Sequence, residues 1–186
     1  LDESAQVIKT AYRRYHGRPF ETLRELLESE FSAYMENPVR LGFTGIGGRV
    51  GIGILGGSFF GEIASAAAAS YAFLPEVKTI IEMGGEDSKL IRLDPEKKAV
   101  IDFSMNNLCA AGTGSFLDQQ AGRLKISIDE EFGQLALKSQ NPPRIAGRCS
   151  VFAKSDMIHA QQRGYSPGAI FKGLCQAVVR NYKGTV

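Results

Sequence analysis

A short apolar segment that ends in two glycines and two acids is the first place where this chain could bind a charged ligand. Val77–Met83 is rich in β-branched residues and stops at Gly84–Gly85, which predicts a buried strand and a tight turn. Such glycines let backbone N–H groups approach a polyanion, because no Cβ stands in the way. Glu86 and Asp87 fill the turn before a second strand at Lys89–Leu93, so an ordinary acidic hairpin turn explains the same pattern.

Cys109 and Cys149 are the residues that could bind a transition metal. A third predicted strand, Ala99–Met105, precedes Cys109, and both cysteines stand ahead of helices, whose dipole favours thiolate. A tetrathiolate site needs four sulfurs, whereas the chain has 3 cysteines and Cys175 falls on the apolar face of the last helix. Two usable thiols imply either structural cysteines without a metal, or a site shared across the two-fold axis of a homodimer.

The segments around these groups predict a mixture of strands and helices, and hence an α/β fold, and the length of 186 residues allows one or two compact units. A boundary near residue 75 divides the chain into 1–75 and 76–186, because Pro75 ends a helix and the strand pattern restarts there. Further strands are expected at Val7–Tyr12, Val39–Phe43 and, as a short run, Cys149–Phe152, and helices after Pro19, over Gly61–Leu74, over Ser115–Leu124 and after Pro167.

A glycine-dense segment between these elements resembles a dinucleotide fingerprint without its usual context. Gly51, Gly53 and Gly56 have the G-x-G-x-x-G spacing, but the preceding strand ends several residues earlier and no βαβ unit with a placed ribose acid follows. We therefore interpret the match as coincidental, and a close-packed glycine turn and helix is the alternative that the segment allows.

The composition excludes several classes of protein. An apolar fraction of 44% and a charged fraction of 23% are ordinary for a globular protein. A net charge of +2 is too small to indicate a nucleic-acid-binding surface. No apolar stretch is long enough for a membrane span, and no signal peptide opens the sequence. The odd number of cysteines argues against a secreted disulfide framework, which favours a cytoplasmic location.

Three stretches, EMGGEDSK, NNLCAAGTGSFLDQQ and RCSVFAKSDMI, closely resemble the activator ATPases of 2-hydroxyacyl-CoA dehydratases, which belong to the BadF/BadG/BcrA/BcrD ATPase family. The resemblance runs from about Leu41 to the end and is closest to long, multidomain members. It implies the two-lobed, ribonuclease H-like fold of the acetate and sugar kinase, Hsc70 and actin superfamily. The order and spacing of the two cysteine motifs are specific, whereas the glycine turn alone is not.

The resemblance implies that ATP or ADP binds with Mg²⁺ at the glycine turn, where nearby acids organise the cation and the attacking water. The family usually has Asp where Glu82 stands, and many members have Gln where Glu86 stands, so the reach of both side chains differs here. The implied catalytic residues are Glu82, Glu86 and Asp87, and the implied nucleotide-binding residues are Gly84, Gly85, Ser88, Lys89, Thr44, Gly45, Gly112 and Gly114.

The same resemblance implies that Cys109 and Cys149 hold one [4Fe-4S] cluster between the two protomers of a homodimer. The cluster, reduced by ferredoxin or flavodoxin, would donate an electron to a 2-hydroxyacyl-CoA dehydratase or a related acyl-CoA reductase. This partner would be a separate protein or other domains of the same chain. ATP binding and hydrolysis would rotate the domains and swing the cysteine-bearing helices.

Two other functions stay open at this point: a sugar or small-molecule kinase of the same superfamily, and a non-catalytic docking or dimerisation domain. The first phosphate motif of the family, Asp-x-Gly-Ser/Thr, and its Gly-Gly adenosine motif are not found in the sequence. We therefore expect the 186 residues to be a fragment, with 1–75 the remainder of the first lobe and 76–186 an incomplete second lobe that binds ATP poorly.

Overall fold

A computed structural model describes residues 1–106, 112–147 and 149–186, and in it the chain divides into two compact units. The first unit is Leu1–Ala66 and the second is Ala67–Val186. Both units contain helices and strands. The assignment of 1–75 and 76–186 to the two lobes of the family fold stays a prediction.

The first unit contains two short strands with helices around them. Its strands pair in parallel, with Phe43 opposite Phe59. Pro19 occupies the first helical position of α1, where its missing N–H would have no partner in any case. The elements are α1 (Pro19–Glu30), a 3₁₀ turn (Ser32–Tyr34), β1 (Gly42–Phe43), α2 (Gly48–Leu55), β2 (Ser58–Phe59) and the start of α3 (Glu62–Phe73), which ends in the second unit.

The first 18 residues contain no strand, so the strand predicted at Val7–Tyr12 is wrong. An apolar run becomes a strand only where a neighbouring strand takes up its backbone hydrogen bonds, and no strand pairs with this one. Instead, the Lys9 ammonium donates to the carbonyl oxygen of Glu30 at 2.6 Å and lies 3.0 Å from its carboxylate. Val39–Phe43 is also shorter than predicted, because only Gly42–Phe43 pairs with β2.

Helix α2 occupies the glycine-dense segment. A Cβ on Gly51 would lie 2.7 Å from a ring carbon of Phe43, so the glycine is needed for the helix to approach β1. Gly56 ends the helix with a φ of +70°, a value that glycine adopts without strain. The dinucleotide-like spacing therefore reflects helix packing, which is the close-packed alternative predicted above.

The second unit is built from an antiparallel three-stranded sheet and a group of helices. The strands lie in the order β3, β4, β5, with Ile91 of β4 opposite Ile80 and Phe103. The hydroxyl of Tyr71 on α3 donates to the carbonyl oxygen of Ala99 at 2.7 Å. The elements after α3 are β3 (Thr79–Met83), β4 (Ser88–Asp94), β5 (Ala99–Met105), α4 (Gly114–Arg123), a π-helical turn (Ile128–Phe132), α5 (Gly133–Lys138), α6 (Ser150–Gln162) and α7 (Pro167–Thr185).

Helix α7 is the centre of the core of the second unit. The Ser166 hydroxyl caps it by accepting a hydrogen bond from the Ala169 N–H at 3.3 Å, and Pro167 fills the first helical position. The rings of Phe171 on α7 and Phe132 have centroids 4.5 Å apart. The larger apolar side chains buried with them are Phe116, Ile145, Met157, Ile170, Leu174 and Val178.

The segment Cys149–Phe152 is not a strand, so that prediction is wrong as well. Cys149 is the N-cap residue of α6, and helical hydrogen bonding begins with the Ala153 N–H, which donates to the Cys149 carbonyl oxygen at 2.9 Å. A helix forms these bonds within its own segment, whereas a strand here would need a neighbour.

Among the described residues, no helix combines the length and the apolar character that a membrane crossing needs.

Candidate functional site

The predicted glycine turn connects β3 and β4 as a tight hairpin. The Gly84 N–H donates to the Asp87 carbonyl oxygen at 2.9 Å, which closes the turn directly after β3. A Cβ on Gly84 would lie 3.0 Å from a carboxylate oxygen of Glu82 and 3.1 Å from one of Asp87. The absence of a side chain at Gly84 therefore lets these two predicted catalytic acids come together. Gly85 and Glu86 form the exposed tip of the turn.

The first turn of α4 is hydrogen-bonded to this hairpin. The N–H groups of Gly114 and Ser115 donate to the carbonyl oxygens of Gly84 and Gly85, at 2.9 Å and 3.2 Å. A Cβ on Gly114 would lie 3.2 Å from the Gly84 carbonyl oxygen. The structure thus brings Gly84, Gly85 and Gly114, three of the predicted nucleotide-binding residues, into one contact.

Lys89 lies beneath the two acids. Its ammonium is 3.0 Å from a Glu82 carboxylate oxygen and 2.6 Å from one of Asp87, and the residue is only 3% exposed. The Tyr182 hydroxyl donates to the Lys89 carbonyl oxygen at 2.8 Å, and the pKa of Tyr182 is raised, mainly by burial and further by the charge of Glu82. In this geometry the charge of Lys89 orients the two carboxylates. Its predicted contact with the nucleotide stays a prediction.

The hydroxyl of Ser88 is fully buried and has no hydrogen-bond partner in the part of the chain that the structure describes. Buried polar groups in folded proteins normally have a partner, so an orphaned hydroxyl beside a turn fits a site that binds a polar ligand. The carboxylates of Glu82 and Asp87 also suit Mg²⁺, which typically takes one or two protein carboxylates together with phosphate oxygens and water.

Thr44 and Gly45 belong to the first unit. They follow β1, and Gly45 turns the chain with a φ of +80° while its carbonyl oxygen accepts a hydrogen bond from the Gly48 N–H at 3.1 Å. The Ser65 hydroxyl donates to that of Thr44 at 3.4 Å. Their predicted contact with the nucleotide stays a prediction.

Cys149 is a free, partly exposed thiol at the start of α6. As the N-cap residue it lies where the amides of the first helical turn favour a negative charge. Val151 and Phe152, which follow it, are 66% and 67% exposed. The other predicted ligand, Cys109, lies outside the described residues. Across the described ranges, no three side chains of His, Cys, Asp or Glu come together as a metal site.

Cys175 behaves as the structural cysteine that the sequence predicts. It packs on α7 against the core, and burial raises the pKa of its thiol. A raised pKa leaves less thiolate at neutral pH, which makes the thiol a poorer ligand and nucleophile.

Two buried asparagines near the cysteine segments were not identified from the sequence. The Asn106 side-chain amide donates to Asn181 Oδ1 at 3.2 Å, and Asn181 Nδ2 donates to the Gly147 carbonyl oxygen at 2.5 Å. A Cβ on Gly112, a predicted nucleotide-binding residue, would overlap both amides. The available signal was the position of Asn181, which interrupts the apolar face of α7 after Leu174, Ala177 and Val178.

Comparison with known proteins gives one family match over most of the chain. The sequence profile of the BadF/BadG/BcrA/BcrD ATPase family matches residues 18–186. The activator of lactoyl-CoA dehydratase from Anaerotignum propionicum is 40% identical over 113 residues, which cover 61% of this chain and 43% of that protein. The (R)-2-hydroxyglutaryl-CoA dehydratase activating ATPase of Acidaminococcus fermentans is 33% identical over 123 residues, covering 66% and 46%. The chain therefore spans less than half the length of these curated relatives.

Two solved structures are similar over almost the whole chain. The activator of the 2-hydroxyisocaproyl-CoA dehydratase from Clostridium difficile with bound ADPNP has a TM-score of 0.78 at 30% identity, covering 89% of this chain and 60% of that one. Component A of the Acidaminococcus fermentans (R)-2-hydroxyglutaryl-CoA dehydratase has a TM-score of 0.76 at 28% identity, covering 91% and 64%. They confirm the predicted α/β fold of the actin-like ATPases.

Proposed function

The chain belongs to the BadF/BadG/BcrA/BcrD ATPase family, and we propose that it acts as an ATP-dependent activator that delivers one electron to a 2-hydroxyacyl-CoA dehydratase or a related acyl-CoA reductase. The observation that carries the proposal is the likeness, over 89% of the chain, to a dehydratase activator that was solved with bound ADPNP. The dehydratase-type partner, the ferredoxin or flavodoxin donor, the homodimer and the cytoplasmic location are parts of the same proposal.

Nucleotide binding is assigned to the hairpin between β3 and β4. The backbone at the exposed tip, Gly85 and Glu86, is open to phosphate, and Glu82 and Asp87 provide oxygen for Mg²⁺ and for orienting water. Lys89 holds these two carboxylates in place through the ion pairs described above. Ser88, Gly112 and Gly114 complete the proposed nucleotide site of the second unit. For Thr44 and Gly45 of the first unit, a contact with the nucleotide is proposed separately, from the family resemblance.

Metal binding is assigned to Cys149 together with Cys109, each supplied twice by a homodimer. A [4Fe-4S] cluster, when bound, supplies a one-electron donor. The described thiol fits this role, because Cys149 is free, partly exposed and placed at a helix N-terminus. The exposed apolar side chains of Val151 and Phe152 beside it suit contact with a second protomer.

Nucleotide binding at the hairpin offers a route for control of the cysteine segments. The first turn of α4 is hydrogen-bonded to Gly84 and Gly85, so a displacement of the turn by phosphate is transmitted to the helix that follows Cys109. We propose that this coupling makes the cysteines accessible to the partner only in one nucleotide state.

The metal content of protein prepared without oxygen tests the proposal. We expect iron and sulfide in the unsubstituted protein, loss of both in Cys109→Ser and Cys149→Ser, and retention in Cys175→Ser, because Cys175 packs against the core. Iron and acid-labile sulfide analysis with the thiolate–iron absorption spectrum measures this.

A monomeric, iron-free protein would contradict the proposal. Such a protein would support a kinase if it phosphorylated sugars, and a docking domain if it did not. Calorimetric titration with ADPNP tests the nucleotide site separately from the metal site.

A further inference from the structure

Asn181 and Asn106 form a buried amide pair between α7 and the end of β5. They are 2% and 4% exposed. Asn181 accepts a hydrogen bond from Asn106 with its oxygen, and with its nitrogen it donates to the carbonyl oxygen of Gly147. A buried amide that both accepts and donates joins two backbone segments at a defined distance, because each bond is strongly directional.

The segments that this pair joins are the ones that carry the two candidate ligands. Asn106 precedes Cys109 by three residues, and Gly147 precedes Cys149 by two. Gly112, three residues after Cys109, passes so close to both amides that a Cβ there would overlap them. The amide pair thus contacts the chain on both sides of Cys109 and directly before Cys149.

The same end of α7 also contacts the hairpin that carries the acids. The hydroxyl of Tyr182, the residue after Asn181, donates to the Lys89 carbonyl oxygen at 2.8 Å. Asn106, the partner of Asn181, donates with its backbone N–H to the Ser88 carbonyl oxygen at 2.9 Å. The Thr185 hydroxyl donates to the Asn181 carbonyl oxygen at 2.9 Å. Two adjacent residues of α7, Asn181 and Tyr182, therefore connect β4, next to the glycine turn, with both cysteine segments.

We propose that Asn181 is a positioning residue that fixes the two cysteine-bearing segments relative to each other and to the nucleotide hairpin. This inference rests on the proposed function, since a defined distance between these segments matters for cysteines that ligate a metal together. Replacement of Asn181 leaves the Gly147 carbonyl oxygen and the Asn106 amide without this partner, which loosens both segments at once.

Hydrogen exchange of the iron-free protein tests the inference. Asn181→Leu keeps the size and neutrality of the side chain and removes the hydrogen bonds of its amide, including those to Asn106 and Gly147. We therefore expect exchange in segments 104–115 and 145–152 to accelerate by about tenfold, the factor for about 1.4 kcal/mol. Asn106→Leu removes the bond between the two amides but leaves Asn181 free to donate to the Gly147 carbonyl oxygen, so we expect the acceleration in 104–115 and not in 145–152. This second variant keeps the test informative if Asn181→Leu does not fold.

Val178→Ala is the matched control, because Val178 is buried on the same helix as part of the apolar core and its side chain forms no hydrogen bond. It lowers global stability, so a purely structural role of Asn181 would give the same exchange pattern in both variants and would overturn the inference. Faster iron release from Asn181→Leu than from Val178→Ala supports it.

The two proposals fail in different ways. An iron-free unsubstituted protein would overturn the proposed function, whatever the exchange pattern. Unchanged exchange in Asn181→Leu, in a protein whose unsubstituted form retains iron, would overturn the inference alone.

Discussion

Lys89 shows how a charged side chain becomes tolerable in the interior of this protein. An isolated buried ammonium would cost several kcal/mol, and its pairing with Glu82 and Asp87 offsets that cost. Lys89 in turn stabilises the two carboxylates, because its positive charge offsets the repulsion between them. The arrangement prepares a pair of oxygens for a cation before any ligand arrives.

Removal of this charge is expected to destabilise the second unit. Lys89→Met leaves two neighbouring carboxylates without a counter-charge and should lower the free energy of unfolding by about 1–3 kcal/mol, less than for a fully buried pair because solvent reaches both acids. Urea denaturation followed by circular dichroism measures the change.

The control for this prediction is Lys97→Met, since the Lys97 side chain is 80% exposed and lies 3.6 Å from Asp94. Exposed pairs of this kind contribute about 0–1 kcal/mol. Equal effects of the two substitutions would show that the buried pairing contributes nothing beyond a surface contact.

Residue types at the turn were predictable from the sequence, but the pairing between them was not. Glu82, Asp87 and Lys89 stand within one short segment, so their proximity follows from any tight hairpin. That Lys89 faces Glu82 instead of solvent depends on the register of β3 against β4, in which these two residues are directly opposite. A shift of one residue would move Lys89 to the other face of the sheet.

At the scale of elements, the contact between α4 and the glycine turn predicts how two substitutions in α4 change stability. Gly114→Ala introduces a Cβ only 3.2 Å from the Gly84 carbonyl oxygen, so it should destabilise the protein by about 1 kcal/mol although alanine favours a helix. Gly122→Ala, in the same helix with nothing within 4 Å of the added Cβ, should stabilise it by about 0.5–1 kcal/mol. Thermal unfolding of both variants shows whether each substitution raises or lowers stability. Stabilisation by both would mean that α4 and the glycine turn are not in close contact at Gly114.

Helices were predicted better than strands for a physical reason. The helices after Pro19, over Gly61–Leu74, over Ser115–Leu124 and after Pro167 are all present, because a helix forms its hydrogen bonds within its own segment. The strands expected at Val7–Tyr12 and Cys149–Phe152 are not, because a strand exists only where a neighbour pairs with it. The buried amide of Asn181 could not be placed for the same reason, since its partners come from distant segments.

At the scale of the whole molecule, the two units differ in how much they bury. Helix α1 of the first unit has no buried residue, whereas α7 of the second unit has nine. We expect α1 amides to exchange with free energies of opening lower by at least about 2 kcal/mol than those of α7, because local opening of α1 exposes little apolar surface. Native-state hydrogen exchange of the intact chain measures this difference. Equal protection of the two helices would mean that both units unfold as one cooperative body.

The thiol at the start of α6 occupies a position that a better capping residue could fill. Ser, Thr, Asp or Asn would accept a hydrogen bond from the first turn and typically adds about 1 kcal/mol, whereas Cys149 makes no such bond. The protein therefore gives up helix stability at this point in exchange for a sulfur atom. Cys149→Ser restores a natural cap while it deletes the sulfur, so this variant should melt no earlier than its parent in the absence of metal. Any loss of iron that accompanies it then reports on ligation and not on damage to the helix.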